Sequence, residues 1–467
     1  MSNASDQSTS SAEIGPPSRA YAWYVVGVLV LVTTLSYLDR QALGLMVVPI
    51  QNDLHMSDTQ MGLLLGPAFV ALYAFAGLPI GALADAYSRR NILAAGLAVW
   101  SVSTVACAFA ASFWSLAIAR AGVGLGEACL VPCAFSLAGD YFTAADRGRG
   151  VAAVTLGVPI GAGLALFGGG FLLQGAQALN AGGGPWAAYA PWQLVFIACG
   201  LPGVLALLLM CTVREPRRAA RPKEGPSPVE AMLAHLRAHP ATVALALVAY
   251  VCFAFMQYGI TAWTPVLLAR RHGLDPAHAA FFYGAFVICL SPIAALSGGV
   301  ASDWMARRWT DGRFRLALLL SPLFLPFVAL ATLSSGLALT GLGLAGLTLV
   351  GGVIGTSVYV AFQEIAPPTL RSQMLALYGL AANLLGLGLG PVAVAFFTDS
   401  VLHSPGAVNL SLLLVCGPVS VLAVTCFTLG LRRYRTLRQW VRDETEAKPS
   451  GVSYPASERL SEPAAAS

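Results

Sequence analysis

Arg120-Ala121-Gly122-Val123-Gly124-Leu125-Gly126-Glu127-Ala128 sets two charges inside an apolar run long enough to cross a bilayer. An isolated charge at that depth costs roughly 2.5–3.5 kcal/mol on insertion scales, so it needs a partner or a task. A second apolar run is interrupted in the same way at Ser36-Tyr37-Leu38-Asp39-Arg40. Asp39, Arg40, Arg120 and Glu127 are therefore the candidate working centre.

The surrounding chain says what these runs build. Of its 467 residues, 57% are hydrophobic and only 10% charged, against about 25% charged in a soluble protein. Apolar stretches of about 20 residues recur throughout, each the length of a spanning helix. We expect an all-α polytopic membrane protein with twelve transmembrane helices. The first six lie near Trp23–Ile50, Thr59–Ala84, Asn91–Ala111, Trp114–Gly139, Val151–Leu173 and Pro191–Val213. The last six lie near Ala241–Leu268, His278–Ser302, Leu316–Ser335, Leu337–Ile365, Met374–Thr398 and Val408–Leu431. A Gly/Ala-rich connection, Gln174–Ala190, separates the fifth from the sixth.

Composition divides the chain into a polar N-terminal tail (1–22), two six-helix bundles (23–213 and 241–431), a Pro-rich basic linker (214–240) and a polar tail (432–467). The first tail and Lys448–Ser467 have the composition of disordered chain. No cleavage site follows a short apolar core, so the first helix reads as uncleaved. Of the 27 Lys and Arg, Arg40 and Arg120 lie within spans, and Arg270 and Arg271 follow span seven. The other 23 fall in the tails and even-to-odd loops, which places both termini in the cytoplasm. A net charge of +5 distributed in this way gives no nucleic-acid surface.

The nine cysteines lie inside expected helices and read as small packing residues. The six histidines sit in loops or at span edges, so no intramembrane histidine relay, metal site or enzyme constellation emerges. Gly122, Gly124 and Gly126 have the spacing of a dinucleotide loop but no preceding strand. Without a G-x-x-x-x-G-K-[ST] phosphate loop, ATP is not the direct driver, and no cofactor is expected.

Two loops repeat. Gly81-Ala82-Leu83-Ala84-Asp85-Ala86-Tyr87-Ser88-Arg89-Arg90 and Gly299-Val300-Ala301-Ser302-Asp303-Trp304-Met305-Ala306-Arg307-Arg308 both read G-x-x-x-D-x-x-x-R-R, offset by 218 residues. Two parallel six-helix halves would produce this. The pattern resembles the signature loop of the major facilitator superfamily, departing from it at Ala86 and Ser88. The resemblance implies that fold, with Asp85, Arg89, Arg90, Asp303, Arg307 and Arg308 at a cytoplasmic gate. Arg120, Gly124 and Gly126 resemble the superfamily's second motif, and the whole run Arg120–Ala128, then Asp146-Arg147-Gly148-Arg149, then Val158-Pro159-Ile160-Gly161-Ala162-Gly163-Leu164, is similar to the spinster family of lipid transporters. That likeness implies a single working chain in a bacterial-type inner membrane, moving a lysophospholipid-like or sphingosine phosphate-like amphiphile with protons. Tyr37-Leu38-Asp39-Arg40 also resembles organic-anion symporters, so a sugar-acid or organic-anion symporter is the alternative. A membrane-embedded enzyme and a receptor without transport are the rival classes.

Depth links the charges. Asp39 lies 16 residues past Trp23, roughly 24 Å along the first helix, and Arg120 is 6 residues past Trp114, roughly 9 Å from the opposite side. In a core of about 30 Å these levels nearly coincide. Glu127 lies two turns further along the face of Arg120. We expect Asp39 as proton carrier, Arg120 as its counter-ion, Glu127 as a second proton or substrate group, and Arg40 on an anionic headgroup. The competing arrangements are a permanent Asp39–Arg120 pair and an Arg40–Glu127 pair. The second half offers polar side chains among apolar ones, with Tyr258 and Asn383 as candidate substrate contacts. Glycines around Pro159, and Gly386, Gly388 and Gly390 beyond Asn383, suggest bendable helices five and eleven.

Overall fold

The computed structural model describes residues 18–142, 146–216 and 228–447. Most of the N-terminal tail and all of Lys448–Ser467, expected to be disordered, lie outside that range. Among the described residues the ordered elements are helices, with no strand, and twelve are long and apolar enough to span a bilayer. They are α1 (Arg19–Leu45), α2 (Asp58–Gly77), α3 (Arg89–Cys107), α4 (Phe113–Asp140), α5 (Gly148–Ala181) and α6 (Pro191–Thr212). The second half contributes α7 (Pro240–His272), α8 (Pro276–Arg308), α9 (Gly312–Leu333), α10 (Leu337–Glu364), α11 (Gln373–Val401) and α12 (Pro405–Glu444). Helices satisfy their own backbone groups, which hydrocarbon cannot do for them. Large apolar side chains such as Phe75, Val102, Ile118 and Leu296 stand exposed, as lipid-facing residues do.

Local chemistry explains most boundaries. Ser57 and Gln60 form a reciprocal capping box at the start of α2, and Ser112 with Ser115 does the same for α4. Gly66 breaks α2 before Pro67 restarts it, and the helix then runs on to Ala86. Three boundaries differ from expectation. Helix α5 continues to Ala181, because the good helix formers Leu, Gln and Ala of this stretch outweigh the cost of the single Gly175, so the connection Gln174–Ala190 is shorter. The final helix extends to Ala447, well into the polar tail. There Asp311, fully buried, accepts from Arg435 Nη2 at 2.7 Å and Arg315 Nη2 at 3.2 Å. Burial pushes this carboxyl up, but the bonds from Arg435 and Arg315 outweigh it and hold the group below the usual carboxylate range. The linker carries a short helix, Pro228–Ala238, seated by His235 Nε2 at 3.0 Å from the Ile365 carbonyl.

Three wide π-helical turns interrupt the α geometry. They are Leu164–Gly168 in α5, and Ala382–Leu387 and Phe397–Val401 in α11. Adding the 218-residue offset of the repeated loops to the first turn lands on the second. Gly161, Gly168 and Gly170 thereby match Gly379, Gly386 and Gly388.

Packing sorts the chain into two compact units. One comprises 1–222, 259–289 and 387–411, and the other 223–258, 290–386 and 412–467. In the first unit α2 and α11 meet closely. A Cβ on Gly62 would fall 2.8 Å from that of Ala395, and one on Gly66 would fall 2.5 Å from the Gly388 carbonyl oxygen.

Candidate functional site

The charged centre lies in the first unit, where α1, α2, α3 and α4 converge. Ser36, Asp39 and Arg40 share one face of α1, at spacings of three and four residues. Asp39 is 3% exposed. Its Oδ2 accepts from Trp100 Nε1 and, at 3.1 Å, from Thr104 Oγ1. Trp100 and Thr104 stand one turn apart on α3.

The expected Asp39–Arg120 ion pair is not formed. Equal depth on two helices does not fix the direction in which side chains point. Asp39 turns toward α3, while the Arg120 guanidinium lies over the Phe69 ring of α2, 5.4 Å from its centroid. Arg120 is 1% exposed, and its Nε and Nη2 have no hydrogen-bond partner among the described residues.

Glu127 is fully buried, and its Oε2 accepts from Ser36 Oγ and Arg40 Nη2, both at 2.7 Å. Of the two arrangements open for Arg40, the local pair is the one present. Three rings of α1 and α2 surround its guanidinium, with centroids at 4.8 Å for Tyr37, 4.7 Å for Phe69 and 5.3 Å for Tyr73. Cation–π contacts of this kind contribute about 0.5–2 kcal/mol each. Phe69 thus faces both arginines.

The glycines of the opening motif make this approach possible. A Cβ on Gly124 would collide with the Phe69 carbonyl oxygen. One on Gly126 would sit 2.6 Å from Trp100 Cβ and from its backbone nitrogen. Gly124 therefore seats the ring beneath the arginines, and Gly126 seats the indole on Asp39. Gly124→Ala and Gly126→Ala should each cost about 1–3 kcal/mol through overpacking. Gly77→Ala, where a Cβ meets nothing within 4 Å, should not. Thermal unfolding in detergent checks this, and equal midpoints for all three would refute it.

Ser36, Phe69, Tyr73, Trp100 and Thr104 carry no signal in the sequence that separates them from ordinary apolar-run residues. Tyr258 and Asn383 belong to the second unit. Tyr258 is half-buried on α7. The Asn383 amide donates to its own helix, to the Gly379 carbonyl at 2.8 Å, and its buried Oδ1 has no hydrogen-bond partner among the described residues. Around Tyr378 the rings of Tyr250, Tyr359 and Phe362 gather at 3.5, 5.7 and 5.3 Å between centroids.

The two repeated loops differ in detail. In the first, Arg89 is 1% exposed and binds Asp140 at 2.5 Å, Glu215 at 2.8 Å and Ser136 at 2.7 Å. Arg90 Nη2 donates to the Cys211 carbonyl at 2.5 Å, and Asp85 stands one turn earlier at the helix end. In the second, Asp303 pairs with Arg313 at 2.8 Å rather than with its neighbouring arginines, and Arg308 lies over Trp304. Arg307 lies beside it in the last turn of α8.

A further ionic cluster joins α2 and α7 at the other end of the first unit. Arg270 donates through Nη1 to Asp58 Oδ2 at 2.7 Å and through Nη2 to Asp58 Oδ1 at 2.6 Å. Its Nη2 also reaches Gln51 Oε1 at 2.9 Å, and its Nη1 the Pro405 carbonyl at 2.9 Å. Beside it, Asp399 of α11 accepts from the Thr59 backbone N–H at 2.6 Å, capping α2. In the sequence Arg270 stands out only as an exception to the charge asymmetry.

Residues 29–391 match the Major Facilitator Superfamily profile. An "MFS-type efflux pump" of Mycolicibacterium smegmatis is 28% identical over 432 residues, covering 91% of this chain and 96% of that one. The "Sphingosine-1-phosphate transporter SPNS2" of Xenopus tropicalis is 26% identical over 435 residues, covering 89% and 82%. The crystal structure of a bacterial homolog of the human lysosomal transporter Spinster, inward-facing and unoccupied, superposes with a TM-score of 0.75. That pair is 26% identical, with 92% of this chain and 99% of that one covered.

Proposed function

Because this chain belongs to the Major Facilitator Superfamily, and within it is spinster-like, we propose that it moves an amphipathic lipid with an anionic head by proton-coupled alternating access. Its fold and its relatives are those of transporters, not of enzymes. The observation that carries the coupling is the buried Ser36–Glu127–Arg40 cluster beside Asp39. Ionised Glu127 holds the Arg40 guanidinium. Protonating it removes the charge that makes this bond strong, and leaves Arg40 to pair with a phosphate or carboxylate head in a planar fork. Asp39 then serves as the main proton carrier, with Arg120 setting the field between the carboxyls.

In this reading the Lys/Arg-rich ends and both termini face the cytoplasm of a bacterial-type inner membrane, and one chain is the working unit. Asp85, Arg89, Arg90, Asp303, Arg307 and Arg308 line the cytoplasmic gate, and the Asp58–Arg270 cluster closes the outer one. Tyr258 and Asn383 are proposed contacts for the less polar part of the substrate. An organic-anion or sugar-acid symporter is the second reading, supported by the headgroup chemistry of Arg40, which does not itself demand a tail.

Proteoliposomes carrying a pH-sensitive dye decide between them. Lysophosphatidic acid or sphingosine 1-phosphate should drive proton movement, and glucuronate should not. Proton movement with glucuronate alone would overturn the lipid assignment. Lipid movement without proton movement would overturn the coupling.

A further inference from the structure

The two oxygens of Asp39 have unlike surroundings. Oδ2 accepts from both Trp100 Nε1 and Thr104 Oγ1, while Oδ1 of the same buried side chain has no hydrogen-bond partner among the described residues. An indole N–H donates and cannot accept. A proton placed on Oδ2 would therefore point at another proton. The threonine hydroxyl can turn either way, but it shares its oxygen with the indole.

We propose that Trp100 is a positioning residue which, with Thr104, pins Oδ2 of Asp39 and assigns the carried proton to Oδ1. This rests on Asp39 being the proton carrier. On loading, hydronium gives its proton to Oδ1: an O–H bond of hydronium breaks, one forms at Oδ1, water is left, and Oδ2 becomes the carbonyl oxygen, still accepting two hydrogen bonds. On unloading, the Oδ1–H bond breaks, water takes the proton as hydronium, and the electron pair stays on the carboxylate. The pinned geometry is unchanged throughout, so the proton enters and leaves from one side of the carboxyl.

The indole is held firmly enough for this. Trp100 is 1% exposed and packs where α3 crosses α4, against Gly126. The titratable and charged groups around Asp39 are Arg40 on its own helix, Cys107 of α3, Arg120 and Glu127 of α4, and Cys199 of α6. Only Glu127 among them is a second carboxyl, so within this centre a carboxylic-acid signal has two possible owners, and variants separate it from the other carboxyls of the chain.

Infrared difference spectra of the full chain reconstituted in lipid, taken across a pH change, test the assignment. The carbonyl stretch of protonated Asp39 should appear at low frequency because Oδ2 accepts two bonds. It should vanish in Asp39→Asn and persist in Glu127→Gln. Trp100→Phe should move it to higher frequency, and Thr104→Val should move it the same way by less. The threonine variant changes little volume, so it decides the matter even if the indole replacement fails to fold. An Asp39 band at unchanged frequency in both variants would overturn the positioning role and leave Asp39 as carrier. Acid bands unaffected by Asp39→Asn at every pH would instead overturn the carrier reading, and this inference with it.

Discussion

Asp39→Asn should abolish uphill accumulation of substrate while leaving exchange across the membrane intact. The amide keeps the shape of the carboxyl and an oxygen that can still accept from Trp100, so the helix contacts around it persist. What it loses is the ability to take up and release a proton. One proton per substrate under a two-unit pH gradient supports up to about 100-fold accumulation, each unit being a factor of 10. The mutant should fall to a ratio of about 1. Counterflow of labelled substrate in the same vesicles should continue, because exchange needs alternation but no net proton movement. Retained accumulation in the mutant would remove Asp39 from the coupling.

Arg270→Ala should shift the population between conformations. Its guanidinium makes two bonds to Asp58, which is 2% exposed, and two more to Gln51 and Pro405. Removing one member of a buried pair costs about 3–5 kcal/mol, and the partial exposure of Arg270 places this case near the lower figure. If the cluster exists in one conformation only, about 3 kcal/mol changes the ratio of conformations by roughly 150-fold. Spin labels at the Asp58 end of α2 and the Asp399 end of α11 would show a longer distance taking over in pulsed resonance measurements. Arg270→Lys should give an intermediate result, since an ammonium cannot form the fork. Distance distributions identical to wild type would show that the cluster does not hold this end closed.

How much of this was legible in the sequence depends on what each property requires. Span number followed from hydropathy and length, because a bilayer imposes both. The four charges declared themselves by cost, since an apolar run keeps Asp39 or Arg120 only for a reason. Their pairing was legible only in part: Arg40–Glu127 stood among the open alternatives, while the contact of Asp39 with Trp100 did not. Depth can be counted along a helix, but the direction of a side chain depends on how neighbouring helices are rotated. Asp39 consequently faces Trp100 rather than Arg120, and Glu127 takes Arg40. Trp100 and Phe69 stayed hidden because an aromatic residue in an apolar run looks like packing, whatever its N–H or ring face is doing. The glycines carried the missing information in part: Gly124 and Gly126 mark where backbones touch, though not which partners they touch.

The wide turn in α5 shifts the phase of that helix. In an unbroken α-helix, residues seven apart face almost the same way, and residues eight apart are turned by about 80°. Yet the glycines of α5 that meet α1 are Gly157 against Thr33, Gly161 against Thr34 and Tyr37, and Gly169 against Leu45. Gly168, seven past Gly161, meets nothing within 4 Å. The extra residue stored in Leu164–Gly168 rotates the remainder of the helix, so that its glycine stripe stays in line with α1 on both sides of the turn. A helical wheel drawn through α5 at constant pitch would therefore place Gly169 on the wrong face. The matching turn at Ala382–Leu387 makes the same correction necessary in α11.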